Sequence, residues 1–286
     1  MSIAVGFFDE SSDPEEVEGA SYTVAGFVAS NAISACLELR WKDLLVKYNL
    51  DYFKASELSA GEGQFRQYRD DPLHRGWKRF SDRERDTFDE IKTAFTDLIV
   101  GVSDQINAIG AVVIIPDYER IMKESPLARK TLSFPYYQAG QTVLVEAGIQ
   151  ITKENRRSPS GDPLYIRPVF DSHEKYSGRM RAIFDSFAAK NPVSSKYMLP
   201  PYYEDDRRYL SLQVADNIAF EIRKYVLSTL TPGKPTRRSM KRIQPALWRI
   251  YKLDYASLKL IAEANDPEAA VDTLPLSVDD IIGRFD

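Results

Sequence analysis

Four carboxylates in this chain stand where the neighbouring residues are apolar. Asp9 closes the run from Ile3 to Phe8, and Asp171 closes the run from Leu164 to Phe170. Asp216 falls beside a helical stripe of Leu212, Ala215, Ala219, Ile222 and Val226, and Glu146 interrupts a stretch carrying Val143, Leu144, Val145, Ala147, Ile149 and Ile151. Desolvating a carboxylate is costly, so each of the four needs a partner. A hard cation such as Mg²⁺ or Mn²⁺ would make several of them tolerable together, because it takes oxygen ligands. Two such ions about 4 Å apart can activate a water and stabilise the leaving oxygen of a phosphodiester. Blander readings stand beside this one: a turn aspartate at Asp9, a helix cap at Asp171, a buried ion pair at Asp216 and at Glu146.

The rest of the composition narrows the chemistry. One cysteine, Cys36, excludes a disulfide framework, and with only His74 and His173 it also excludes a Cys/His zinc cage. No Gly-rich phosphate loop, nucleophile elbow or His-Glu-x-x-His is present. Lys plus Arg number 38 and Asp plus Glu 42, a net charge of −4, so any nucleic-acid contact would rest on a local basic surface. No apolar run approaches the roughly 20 residues of a membrane span. The first residues lack the basic head and long apolar stretch of a signal peptide. These features lead us to expect a soluble, cytoplasmic protein without a membrane partner.

The elements that must position the acids follow from periodicity. Ile3 to Phe8 and Tyr22 to Ala29 predict two strands in an antiparallel hairpin, and Asn107 to Ile115 a third that stops at Pro116. Between them, Ser34 to Tyr48 predicts an amphipathic helix, and Gly61 to Trp77 an exposed polar excursion. Ser81 to Glu84 fits a capping box opening a further helix. Then come a long helix over Phe134 to Asn155, a strand over Leu164 to Phe170, a helix over Tyr176 to Lys190, an edge strand within Lys196 to Tyr203, and a helix over Tyr209 to Leu227. Three opening strands followed by alternating helices and strands imply an α/β fold, a mixed sheet flanked by helices. A helical insertion spans about 30–105 after the second strand, and a C-terminal extension follows residue 230. That extension packs Lys234, Arg237, Arg238, Lys241 and Arg242 into nine residues, and its tail reads as mixed and weakly helical.

Three segments carry a resemblance to a known family. Phe8-Asp9-Glu10-Ser11, Val169-Phe170-Asp171 and Leu212-Gln213-Val214-Ala215-Asp216 resemble the domain-of-unknown-function family numbered three-thousand-eight-hundred, and Phe53-Lys54-Ala55-Ser56-Glu57-Leu58 is similar to a further motif there. The resemblance covers about 3–228 and implies an RNase H-like fold for residues 1–230. It also implies a two-metal site, with Asp9 bridging the ions from the first strand, Asp171 beside it on a neighbouring strand, and Asp216 completing the set. Glu146 matches by topology alone, as the acid on the helix after the third strand.

The expected function is metal-dependent hydrolysis of a nucleic acid, DNA or RNA. Asp9, Asp171, Asp216 and Glu146 are the catalytic candidates, and the first three are the metal ligands. Substrate contact is expected from Lys54, from Arg223 seven residues after Asp216, from His173 two residues after Asp171, and from Lys234, Arg237 and Arg238. Two rivals remain: a non-catalytic binding or scaffold protein whose carboxylates form ion pairs, and a metal-dependent phosphohydrolase acting on a small nucleotide. Glu10 should point away from Asp9 if the strand continues.

Overall fold

In the computed structural model, residues 2–12, 21–70, 80–157, 161–172, 177–231, 233, 237–243 and 249–266 are described. The first strand, β1 (Ser2–Ser12), pairs antiparallel with β2 (Ser21–Ser30), which pairs antiparallel with β3 (Asn107–Ile114). On the other side of β1 lie β4 (Leu164–Asp171) and β5 (Tyr202–Glu204), both parallel to it. A sixth strand, β6 (Arg249–Leu253), runs parallel to β3 and completes the order β5-β4-β1-β2-β3-β6. The protein is thus α/β, with a six-stranded mixed sheet between helices.

Strand alternation divides the sheet's side chains between two cores. Ala4, Phe8, Ile109 and Phe170 pack against α6 (Pro135–Arg157) and α7 (Ser177–Lys190), beside which lies the short α8 (Pro192–Ser195). Phe7, Phe27, Val112 and Val169 pack against α9 (Leu210–Leu230). Sixteen of the 21 residues of α9 are buried, so it is a central helix and not an amphipathic cover. Its outer side is roofed by α1 (Asn31–Lys47), α2 (Ala55–Ala60) and α3 (Asp82–Val100). Trp41 of α1, Phe95 of α3 and Phe53 interlock there, with ring centroids 4.3–5.3 Å apart. The capping box at Ser81 forms as expected: its hydroxyl accepts from Glu84 N–H, and Glu84 accepts from Ser81 N–H.

Two expectations need correction. The described part of the polar excursion, 61–70, is not simply exposed: a 3₁₀ turn over Gly63–Tyr68 seats Phe65 fully inside the core, and Arg69 is buried. The strand expected within Lys196 to Tyr203 contributes one bridge, Ile166 to Met198, and its ladder lies later, at β5. The third strand does stop ahead of Pro116, which falls in the first turn of a helix, α4 (Ile115–Glu124), followed by α5 (Pro126–Thr131). The C-terminal stretch meanwhile joins the fold: α10 (Arg238–Ile243) packs on α3 and α9, and β6 with α11 (Tyr255–Ala264) closes the β3 edge. Among the described residues no helix is long and apolar enough to cross a membrane.

The β1–β2 pairing is tight at one point. A Cβ on Gly26 would lie 1.8 Å from the backbone oxygen of Phe7, where nothing flexible can yield. Gly26→Ala should therefore cost more than about 4 kcal/mol and lower the thermal midpoint by about 10 °C or more, measured by thermal unfolding.

Candidate active site

The site begins with two hydrogen-bond acceptors on α9. Gln213 Oε1 accepts from Phe53 N–H at 2.9 Å and from Trp41 Nε1 at 3.1 Å, while its Nε2 donates to Asp206 C=O at 3.0 Å. One turn on, Asp216 Oδ2 accepts from Ala55 N–H at 2.8 Å. Residues i and i+3 share a helix face, so the pair clamps the extended segment 53–55 along α9. Lys54 lies at the centre of that segment, half-buried, just before α2.

The sheet supplies the other acids. Asp9 follows Phe7 on the α9 face of β1 and is buried, with its Oδ1 accepting from Glu10 N–H at 2.7 Å. Phe8 pairs with Phe170 in parallel register, which places Asp171, on the same face of β4, alongside Asp9. Asp171 Oδ1 accepts from Ser172 N–H at 2.9 Å and from Asp206 N–H at 3.3 Å, drawing in the loop before α9. Glu10 alternates to the opposite face, where it acts on Tyr136 of α6.

Electrostatics show how closely these groups are coupled. Burial pushes Asp9 well above the usual carboxylate range, and the charges of Asp216, Glu10 and Asp171 push it further. Burial lifts Asp216 to about 6 although Lys54 and the Ala55 N–H hold it down. Glu10 rises to about 7, again through burial first and Asp171 second. Asp171 and Asp206 are raised by burial too. Burial disfavours the Lys54 ammonium, yet Asp216, Asp9, Asp206 and Asp171 together outweigh it and keep the lysine protonated above its usual range. Burial is the first cause of every raised carboxylate here, and four of them, Asp216, Asp9, Asp206 and Asp171, act together on the one ammonium of Lys54.

The structure brings Asp9, Asp171, Asp216 and Lys54 together and adds Asp206; Glu10 points to the other face, as expected. Asp206 had one signal, the triplet Glu204-Asp205-Asp206 at the end of an edge strand. Glu146 does not join them. It is on α6, across the sheet from Asp9, where its carboxylate is bonded by Gln150, by Arg249 and, at 2.5 Å, by the Tyr251 hydroxyl. A carboxylate in an apolar helix needed a partner, and β6 supplies it. Arg223 is buried, with Nε donating to Ser11 Oγ at 2.9 Å, so it braces the end of β1. Arg237 and Arg238 border a separate cavity. His173 and Lys234 lie outside the described residues.

Whether these residues suit a divalent cation can be tested on their chemistry. The donors are all carboxylate oxygens, and their charge exceeds what Lys54 balances, which fits a hard ion. Among the described residues, however, no three His, Cys, Asp or Glu side chains already converge as a ligand set. A cation would have to draw the carboxylates inward and displace Lys54 from among them.

Two outcomes follow for the metal-free protein. Between about pH 4 and pH 7 the native state holds protons on Asp216 and Glu10 that the unfolded chain has released. The stability from those protons is full below that window and lost as pH rises through it, so the thermal midpoint in chelator should fall from pH 5 to pH 7. Asp9→Asn should flatten that slope and stabilise the protein at pH 7 by about 1–2 kcal/mol; a less stable Asp9→Asn would contradict the electrostatic account. Gln213→Leu strands Phe53 N–H, Trp41 Nε1–H and Asp206 C=O together, and should cost about 3 kcal/mol or more in urea unfolding.

No protein-family model and no curated protein matches this chain.

Proposed function

We propose that this protein is a metal-dependent hydrolase of nucleic-acid phosphodiester bonds, built on an RNase H-like fold. The observation that carries the reading is the set of raised carboxylates on β1, β4 and α9 around Lys54. The element order supports the fold assignment: three antiparallel strands open the chain, and β4 lies parallel to β1 with its acid beside Asp9.

Asp9, Asp171 and Asp216 would hold Mg²⁺ or Mn²⁺. When bound, such an ion supplies Lewis-acid polarisation of the phosphate and a more acidic water. The chain's own groups do the rest. Lys54 is fixed by the backbone bonds of its neighbours and would meet a phosphate oxygen as a point charge, moving from the carboxylates to the substrate. The helices over α9 keep bulk water from one side and strengthen each of these interactions.

One observation favours a second reading. Lys54 already gives the acids a counter-ion, as a binding or scaffold protein with no reaction would require. Calorimetric titration with Mn²⁺ and Mg²⁺, paired with a panel of labelled single- and double-stranded DNA and RNA, separates the two. The nuclease reading expects binding and cleavage in the parent protein and loss of both in Asp9→Ala, with turnover reduced at least about 10²-fold in Lys54→Met. No binding at millimolar metal and no cleavage would leave the scaffold reading.

A further inference from the structure

A second candidate site lies behind the carboxylates. Residues of α2, α3, α9 and α10 surround a cavity of about 820 Å³, a size typical of small-molecule sites. Two of its lining side chains, Thr96 and Asn217, are each 1% exposed. Thr96 Oγ1 and Asn217 Nδ2 have no hydrogen-bond partner among the described residues. Leaving a buried donor or acceptor unmade costs free energy, so a pair of them in the wall of one cavity points to an occupant that completes them.

The other walls specify that occupant's chemistry. Phe88 and Phe220 are the aromatic side chains of the wall, 1% and 3% exposed. Four cations line the cavity, Lys92, Arg237, Arg238 and Arg242, against the two carboxylates of Asp89 and Glu221, in a chain whose net charge is negative. The cations are not equally committed. Lys92 is 3.1 Å from Glu221, which also accepts from Ser239 Oγ at 2.7 Å, and Arg242 is paired with Asp97. Arg237 is 3.9 Å from Glu221 and its guanidinium is 5.1 Å from the Phe220 ring, while Arg238 is exposed at the cavity's edge. An occupant that offers a flat ring to the phenylalanines, hydrogen-bonding groups to Asn217 and Thr96, and a phosphate to the arginines answers each of these groups.

We propose that this cavity binds a single nucleotide, its base against Phe88 and Phe220 with an edge read by Asn217 and Thr96, and its phosphate at Arg237 and Arg238. The site goes beyond the proposed hydrolysis and does not depend on it. It does share a wall with the carboxylates: Ala55, which lines the cavity, donates its N–H to Asp216, and Asn217 directly follows that residue. A bound nucleotide would therefore press on the segment that carries Lys54.

The test is calorimetry on the full chain with each common ribo- and deoxyribonucleoside 5′-monophosphate, the matching nucleosides and inorganic phosphate. Arg238→Glu, Asn217→Leu and Asp9→Ala are titrated in parallel, with thermal unfolding to verify that each is folded. The proposal expects at least one nucleotide to bind at micromolar concentration and its nucleoside at least tenfold more weakly. Arg238→Glu should lose at least tenfold, and Asp9→Ala should bind as the parent does. Arg238 is on the surface, so its replacement keeps the test available even if Asn217→Leu fails to fold. The proposal is overturned if no nucleotide binds at millimolar concentration, if inorganic phosphate binds as well as the nucleotide, if Arg238→Glu binds unchanged, or if binding disappears in Asp9→Ala. That last result would place the nucleotide at the carboxylates and leave the hydrolase reading standing. Retention in Asp9→Ala, with no cleavage by the parent, would overturn the hydrolase alone.

Discussion

A backbone segment held against a buried helix by two side chains governs this structure. Phe53 and Ala55 offer their N–H groups to Gln213 and Asp216. Neither N–H is part of a regular ladder, and both are buried, so the acceptors are needed simply to seat the segment in the core. Seating it brings the Lys54 ammonium among Asp9, Asp171, Asp206 and Asp216. Without that ammonium the cluster would be an unbalanced group of like charges in a low dielectric, which is far more costly than any one hydrogen bond. The docking bonds and the charge balance therefore support each other.

Much of the surrounding architecture serves the same end. β1 and β4 run parallel in a register that ends with Asp9 and Asp171 on the α9 face. The loop after β5 returns its Asp206 N–H to Asp171 and its C=O to Gln213, tying the sheet to the helix. The roof of α1, α2 and α3 buries α9 on its outer side, so Asp216 is desolvated although it faces the cluster. Such an arrangement sacrifices stability for charge held ready, as expected of a functional site.

The legible parts of this structure were those governed by local physics. Apolar runs closing in Asp9 and Asp171 revealed both strands and both acids, because a carboxylate at the end of a buried strand is hard to explain otherwise. The Ser81 capping box was readable because cap and helix are three residues apart. Lys54 and Asp216 were indicated by short motifs, but the bonds that hold the Lys54 segment on α9 join residues 160 and 161 positions apart, and periodicity carries no such information. Glu146 misled for the same reason. Its partners Arg249 and Tyr251 come from a strand more than 100 residues later, in a stretch with no clear strand pattern. Phe65 was hidden in a polar excursion because one aromatic side chain can anchor a 3₁₀ turn without producing any repeat.

We infer that these carboxylates hold a divalent cation that displaces Lys54. Anomalous diffraction from crystals grown with Mn²⁺ tests it most directly, because it locates the ion and the lysine in one experiment. The account predicts an anomalous peak bounded by Asp9, Asp171 and Asp216, with the Lys54 ammonium withdrawn from between them. A map with no peak at saturating Mn²⁺, and Lys54 still among the acids, would contradict it.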